Sequence, residues 1–100
     1  MSIDHLLGDT CLIEPPAGHS ATGPLFGPGV ASRCRIEDAA ELLRDNLGEQ
    51  APATARLFLP LGTPIAAGAR VTIGGRVLTA VTVAVIPGRA GPHHVEVRLR

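Results

Sequence analysis

The chain has no tryptophan, no tyrosine and no lysine, and only two phenylalanines, Phe26 and Phe58, among its 100 residues. Recognition of single-stranded nucleic acid by stacking needs several exposed rings, so that class of binder is excluded. Charge of one sign is lacking too: nine arginines balance nine acids, and no uniform basic surface marks DNA as a target. No apolar run reaches the length of a membrane-spanning helix, and no charged-then-apolar signal opens the chain. The expectation is a soluble protein of the cytoplasmic side with no membrane partner. Cys11 and Cys34 are the only cysteines, too few for a disulfide framework, and they read as reduced thiols packed as small apolar groups. The all-arginine basic set, with abundant Ala, Gly and Pro, fits the bias of a GC-rich genome and says nothing about mechanism.

What is present fits one domain. The apolar share is 45%, but 14 of those residues are Ala, so the core is modest. Charges are segregated along the chain: residues 1–32 sum to −3, residues 33–49 to −2 and residues 50–100 to +5. If the fold keeps these parts separate the molecule is dipolar; if the strands interleave, the charges mix.

Strand signals dominate. Residues 10–14, TCLIE, form a short strand candidate stopped by Pro15-Pro16. Residues 15–29 hold four Gly and four Pro, which predicts a long irregular loop with Leu25 and Phe26 as an apolar anchor. Residues 30–37 alternate, with Val30, Ser32, Cys34 and Ile36 on one face and Ala31, Arg33, Arg35 and Glu37 on the other. Residues 38–50 are ambiguous. A short helix capped by Asp38 and stopped by Gly48 competes with a hairpin turning at Asn46-Leu47-Gly48. Residues 53–59 supply a further strand, with Leu57 and Leu59 opposing Arg56 and Phe58.

The C-terminal third is plainer. ARVTI and RVLTAVTVAVI are β-branched runs joined by Gly74-Gly75, a strong hairpin signal. In the second run Val77, Thr79, Val81, Val83 and Val85 share one face by simple alternation. Pro87-Gly88 and Gly91-Pro92 bracket another turn, and the closing HHVEVRLR places Val95, Val97 and Leu99 inward against His94, Glu96, Arg98 and Arg100. The predicted fold is all-β: one small antiparallel β-barrel or sandwich of five to six strands spanning residues 1–100, with a long Gly/Pro-rich loop.

No arrangement of residues points to catalysis. His93 and His94 are consecutive on a strand and face opposite sides, while His5 and His19 lie in irregular segments, so no metal set converges. Ser2, Ser20 and Ser32 lack a nucleophile-elbow context. Glu37, Asp38, Glu41 and Asp45 read as a solvated acidic face, and Gly74-Gly75 leads into a strand rather than a phosphate-binding helix. The chain is expected to be no enzyme, with no catalytic residues, no metal and no cofactor.

Several segments in chain order resemble one family. These are MSIDHLLGDTCLIEPP, the Gly/Pro stretch ending TGPLFGPGVASRCRIED, the strand ATARLFLP, the hairpin GARVTIGGRVLTAVTV and the closing GPHHVEVRLR. Over nearly its whole length the chain resembles the small head-to-tail connector proteins of tailed bacteriophages, the stopper or head-completion class. The most telling parts are the GxxVTIGGRxLxxVxV hairpin and the terminal PHHVEVxL strand. Leu78 departs from the pattern, since members often carry an aromatic there. The resemblance favours a hairpin for residues 30–59. It implies a virion neck protein, present in the host cytoplasm during assembly, that forms a homo-oligomeric ring, usually of six copies. Its partners would be portal and adaptor proteins on the head side and the tail tube or terminator on the other. Phage DNA would pass through the lumen without sequence-specific binding. On this view Pro24, Leu25, Phe26 and Pro28 in the loop, with Arg98 and Arg100, make inter-subunit or lumen contacts. The acidic N-terminal half would meet the Arg-rich C-terminal half across subunit boundaries. A tail terminator or minor tail subunit is the near alternative; a small OB-like or SH3-like binding module is the alternative from another class.

Overall fold

A computed structural model describes residues 7–44, 50–86 and 94–100. The described residues form eight strands and no helix: β1 (Asp9–Glu14), β2 (Pro16–Ser20), β3 (Gly23–Phe26), β4 (Val30–Arg44), β5 (Gln50–Pro60), β6 (Arg70–Ile73), β7 (Arg76–Ile86) and β8 (His94–Leu99). Six of them close into an antiparallel barrel in the order β1-β4-β5-β8-β7-β6, while β2 and β3 pair only with each other. The all-β class expected from the strand signals is found, and of the two architectures left open, barrel or sandwich, it is the barrel.

The barrel is strongly staggered. One row of paired residues runs from Leu99 to Ala80 on one side, and through Ala55 to Asp38 on the other. Asp38 lies four residues past Cys34, the partner of Asp9 at the start of β1, so the row slides along the wall instead of closing on itself. Barrel diameter grows with the number of strands, and six is few. The interior is correspondingly narrow. Ala53, Ala55, Ala69 and Ala80 are all buried beside Leu57, Leu59, Val71, Val97 and Leu99, and neither Phe26 nor Phe58 is among the buried side chains. Small side chains at these four buried alanine positions suit that narrow interior.

Alternation explains most of the wall. In β5 Leu57 and Leu59 are fully buried, and in β8 Val95, Val97 and Leu99 are, as expected. In β4 the expected inward set is in phase, with Cys34 buried and Ile36 packed on the core, although Val30 at the barrel's mouth is 56% exposed. The ambiguous segment is strand on both sides, through Arg44 and from Gln50, with Asp38 paired to Ala55 and Arg44 to Gln50. Pairing with a β5 anchored by Leu57 and Leu59 overrides the local helical propensity. The Asn46-Leu47-Gly48 turn and the turns at Pro87-Gly88 and Gly91-Pro92 lie outside the described residues.

Two readings need correction. First, residues 15–29 are not a long irregular loop throughout: β2 and β3 form a hairpin inside them, with Ser20 opposite Gly23 and a register irregularity between Pro16 and His19. Gly18 (φ 97) and Gly23 (φ 131) take backbone conformations that other residues rarely adopt. The glycines that argue against a regular strand are thus what shape this irregular one. Second, β7 does not keep one face. A bulge between Ala80 and Thr82 buries the consecutive residues Ala80 and Val81. Before it Leu78 packs on the core and Val77 is 63% exposed; after it Val83 packs on the core. An inserted residue reverses the phase of every side chain beyond it, which unbroken valine spacing conceals.

Candidate functional site

The Gly/Pro-rich segment carries four of the residues singled out in the sequence. Pro24, Leu25 and Phe26 lie in β3, and Pro28 lies in the link to β4. The hairpin contributes nothing to the core, and all five residues of β2 are exposed. Its tip is closed by the Ser20 hydroxyl, which donates to the Gly23 carbonyl at 3.2 Å, with the Thr22 hydroxyl 3.0 Å away. At its root the Gly27 N–H donates to the Pro15 carbonyl at 2.8 Å. Gly29 then passes so close to Leu12 that a Cβ there would sit 2.7 Å from Leu12 Cδ1.

Within β3, it is Phe26 that reaches the barrel. The guanidinium of Arg70 lies 4.3 Å from the centre of the Phe26 ring. Arg70 is itself held by both carboxylate oxygens of Glu14, from Nε at 2.9 Å and from Nη2 at 2.7 Å. This bidentate geometry holds the Glu14 carboxyl below its ordinary pKa and the Arg70 guanidinium above its own. Leu25 is 46% exposed. Beside the root an apolar recess of about 370 Å³ is lined by Ile13, Pro15, Pro64, Ile65, Ala66 and Ala69.

Arg98 and Arg100 are placed differently. Arg100 and Thr79 exchange two backbone hydrogen bonds, 2.9 and 3.0 Å, and Thr79 in turn pairs with Arg70. Arg100 is thus two strands round the wall from the stack on Phe26. Arg98 belongs to a separate charged group on the outer face of β4, β5 and β8. There Arg98 contacts Glu96 at 3.1 Å, Arg35 contacts Glu37 at 3.1 Å, and Glu37, Arg56 and Arg98 stand in one cross-strand row. The six singled-out residues do not converge on one site.

The segregated charges meet within the chain. Glu14 pairs with Arg70 across 56 residues and Asp38 with Arg76 across 38, because β1 lies beside β6 and the barrel interleaves the acidic and basic parts. Sequence reasoning missed Glu14 and Arg70 as a pair, and no local signal marks them. It also missed an uncharged outer row, Ala31-Leu12-Thr72-Val77, which crosses four strands and leaves Leu12 and Val77 exposed.

The cysteines prove to be neighbours. Cys11 and Cys34 are both free and buried, on the adjacent strands β1 and β4. Burial pushes both thiols up. Cys34, further opposed by Cys11 and Asp9, is raised from 9.0 to about 12. Such thiols are poor nucleophiles and poor metal ligands. His94 stacks obliquely on Phe58, ring centres 5.6 Å apart, and its buried Nδ1 has no hydrogen-bond partner among the described residues. His5 and His93 lie outside the described residues. Among the described residues no group of three or more His, Cys, Asp or Glu could hold a metal ion, and no helix is long and apolar enough to cross a membrane. No family model, curated protein or solved structure matches this chain.

Proposed function

We propose that the chain is a structural connector subunit of a tailed-phage neck, a head-to-tail stopper that assembles as a ring between portal-adaptor and tail. The observation that carries this reading is the layout around β4. Its first residue, Val30, adjoins the end of the β2–β3 hairpin. Beyond Asp38 it pairs only with β5 among the described strands, forming an arm. The hairpin thus joins one end of a 15-residue strand and the arm's described tip is the other end, roughly 45 Å away by strand rise. The molecule's longest dimension, 47 Å, is of that size. A narrow filled barrel with a projection at each end suits a part that bridges two neighbours. A barrel that encloses a ligand needs a wider bore. The exposed Leu12, Leu25, Val77 and Val85 give such neighbours apolar surface to cover, and the resemblance in segment order points to the same role.

The test is a contact map in the native particle. The chain has no lysine, so amine-reactive cross-linkers are of little use, and a photoreactive phenylalanine analogue at position 25 is the better probe. Irradiation of cells producing native particles should link position 25 to a second copy or to a portal, adaptor or tail protein. Links to the tail tube alone would move the assignment to a tail terminator. Recovery of host enzymes or nucleic acid alone would overturn the connector reading.

A further inference from the structure

The β2–β3 hairpin is joined to a stable wall by very little. None of its residues is buried, and none belongs to the core cluster. Its root carries the Gly27–Pro15 hydrogen bond, flanked by Pro15-Pro16 on one side and Gly27-Pro28-Gly29 on the other. Beyond the root, a Cβ at Gly68 would meet the Pro16 ring only at ordinary contact distance. The specific contact is Phe26 on the face of Arg70.

We propose that Glu14, Arg70 and Phe26 form a latch, giving the hairpin a docked position on the barrel and a released one reached by pivoting at its root. The division of labour is asymmetric. Glu14 and Arg70 are paired through adjacent strands of the wall, so their ion pair persists in both positions and serves to aim the guanidinium face. Phe26 alone belongs to the moving part. A cation over an aromatic face at an exposed site is a weak bond, so release is frequent and needs no unfolding of the barrel. A fixed carboxylate that grips Arg70 by two oxygens keeps that face presented when the ring leaves, which lowers the ordering cost of re-docking. The device stands independently of the connector reading, since every part of it lies in one chain.

Backbone hydrogen exchange tests it in the isolated protein. Phe26→Leu keeps an apolar side chain and removes the π face, while Arg70→Lys keeps the charge and removes the planar, doubly held guanidinium. Each variant should speed exchange of the hairpin amides by roughly two- to fivefold, the range expected from loss of one exposed cation–π contact. Core amides such as those of Leu57 and Val97 should be unchanged. Glu14→Gln should act in the same direction through a misaimed Arg70. A second readout is the ring-current shift of the Arg70 side-chain protons, easily assigned in a chain with two phenylalanines, which should disappear in Phe26→Leu. Unchanged hairpin exchange in both variants, or equal acceleration of hairpin and core, would overturn the proposal. So would hairpin amides that already exchange at the unprotected rate in the wild type, because no docked position would then be held.

Discussion

Strand β5 and the β2–β3 hairpin are both antiparallel β-structure, built on different grounds. In β5 Ala53, Ala55, Leu57 and Leu59 are buried at every second residue, and β4 and β8 flank it on either side. In β2 nothing is buried, and one strand alone pairs with it. β5 is held by removal of apolar surface from water, a contribution that grows with area. The hairpin is held by glycines that permit its turns and by prolines that limit its unfolded freedom, together with a tether to Arg70. An isolated two-stranded hairpin is at best marginal in water, so the docked hairpin depends on the barrel while the barrel depends little on it. The comparison teaches that strand assignment alone does not report stability. What each strand rests on does.

Leucine truncations in the two regions put the contrast at its greatest. Leu57 is fully buried in a narrow interior with little room to collapse. Its truncation, Leu57→Ala, should cost about 2–5 kcal/mol of unfolding free energy. Leu25 stands exposed on the hairpin. There Leu25→Ala should change stability by at most about 0.5 kcal/mol, the range of surface substitutions. Urea unfolding of both variants measures the difference. Comparable losses would mean that the hairpin packs against more of the barrel than Phe26 touches.

Alkali provides a second separation, because only the barrel contains thiols. Cys34 is raised from 9.0 to about 12 by burial, and Cys11 is also raised. The folded state therefore favours the neutral thiols. Their stabilising effect is intact below the unfolded pKa and is lost as pH climbs through the window from about 9 to 12. The chain has neither lysine nor tyrosine. Arginine stays charged and the terminal amine titrates near 8, so cysteine is the side chain that titrates in this window. At about 1.4 kcal/mol per pH unit the loss should reach about 2–4 kcal/mol at the upper end. Denaturation under reducing conditions at pH 8 to 11 should show it, and Cys11→Ala/Cys34→Ala should flatten the dependence. An equally steep loss in the double variant would remove the thiols as its cause.

These two regions also differ in how far they could be read from sequence. The alternation in β5 and β8, and the Gly74-Gly75 turn, carry their own signal, since burial on one face writes a period of two into the residues. Gly74 takes a positive φ in that turn, a conformation glycine adopts freely. The bulge in β7 left no trace because valines continue on both sides of it. The hairpin was hidden because Gly and Pro, read as breakers, stabilise its particular backbone here. Of the candidate site, Phe26 was legible as an anchor. Its partner Arg70 was not, nor was Glu14, because only the pairing of β1 with β6 brings those two together. Pairing between segments so distant in sequence is a property of the closed barrel and has no local pattern.

The ion pair at the base of the β4–β5 arm gives the smallest effect and the sharpest control for the latch. Arg76 Nη1 lies 3.1 Å from Asp38 Oδ1, where the register of β4 and β5 shifts, and the Asp38 side chain is 81% exposed. It resembles Glu14–Arg70 in joining distant segments, but it is a single contact made without a neighbouring ring, between residues of strands that are not paired. An exposed pair of this kind is worth little, because water screens the charges and ordering two side chains costs entropy. A double-mutant cycle on Asp38→Ala and Arg76→Ala should give a coupling of at most about 0.5 kcal/mol, diminished further in about 1 M salt. The same substitutions should leave exchange of the hairpin amides untouched, since neither residue reaches the Arg70 stack. A coupling above about 1 kcal/mol, beyond the range of exposed pairs, would show that the arm, too, is locked to the barrel by a specific contact. The contrast between a core-held wall and a tethered hairpin would then extend to a second tethered element.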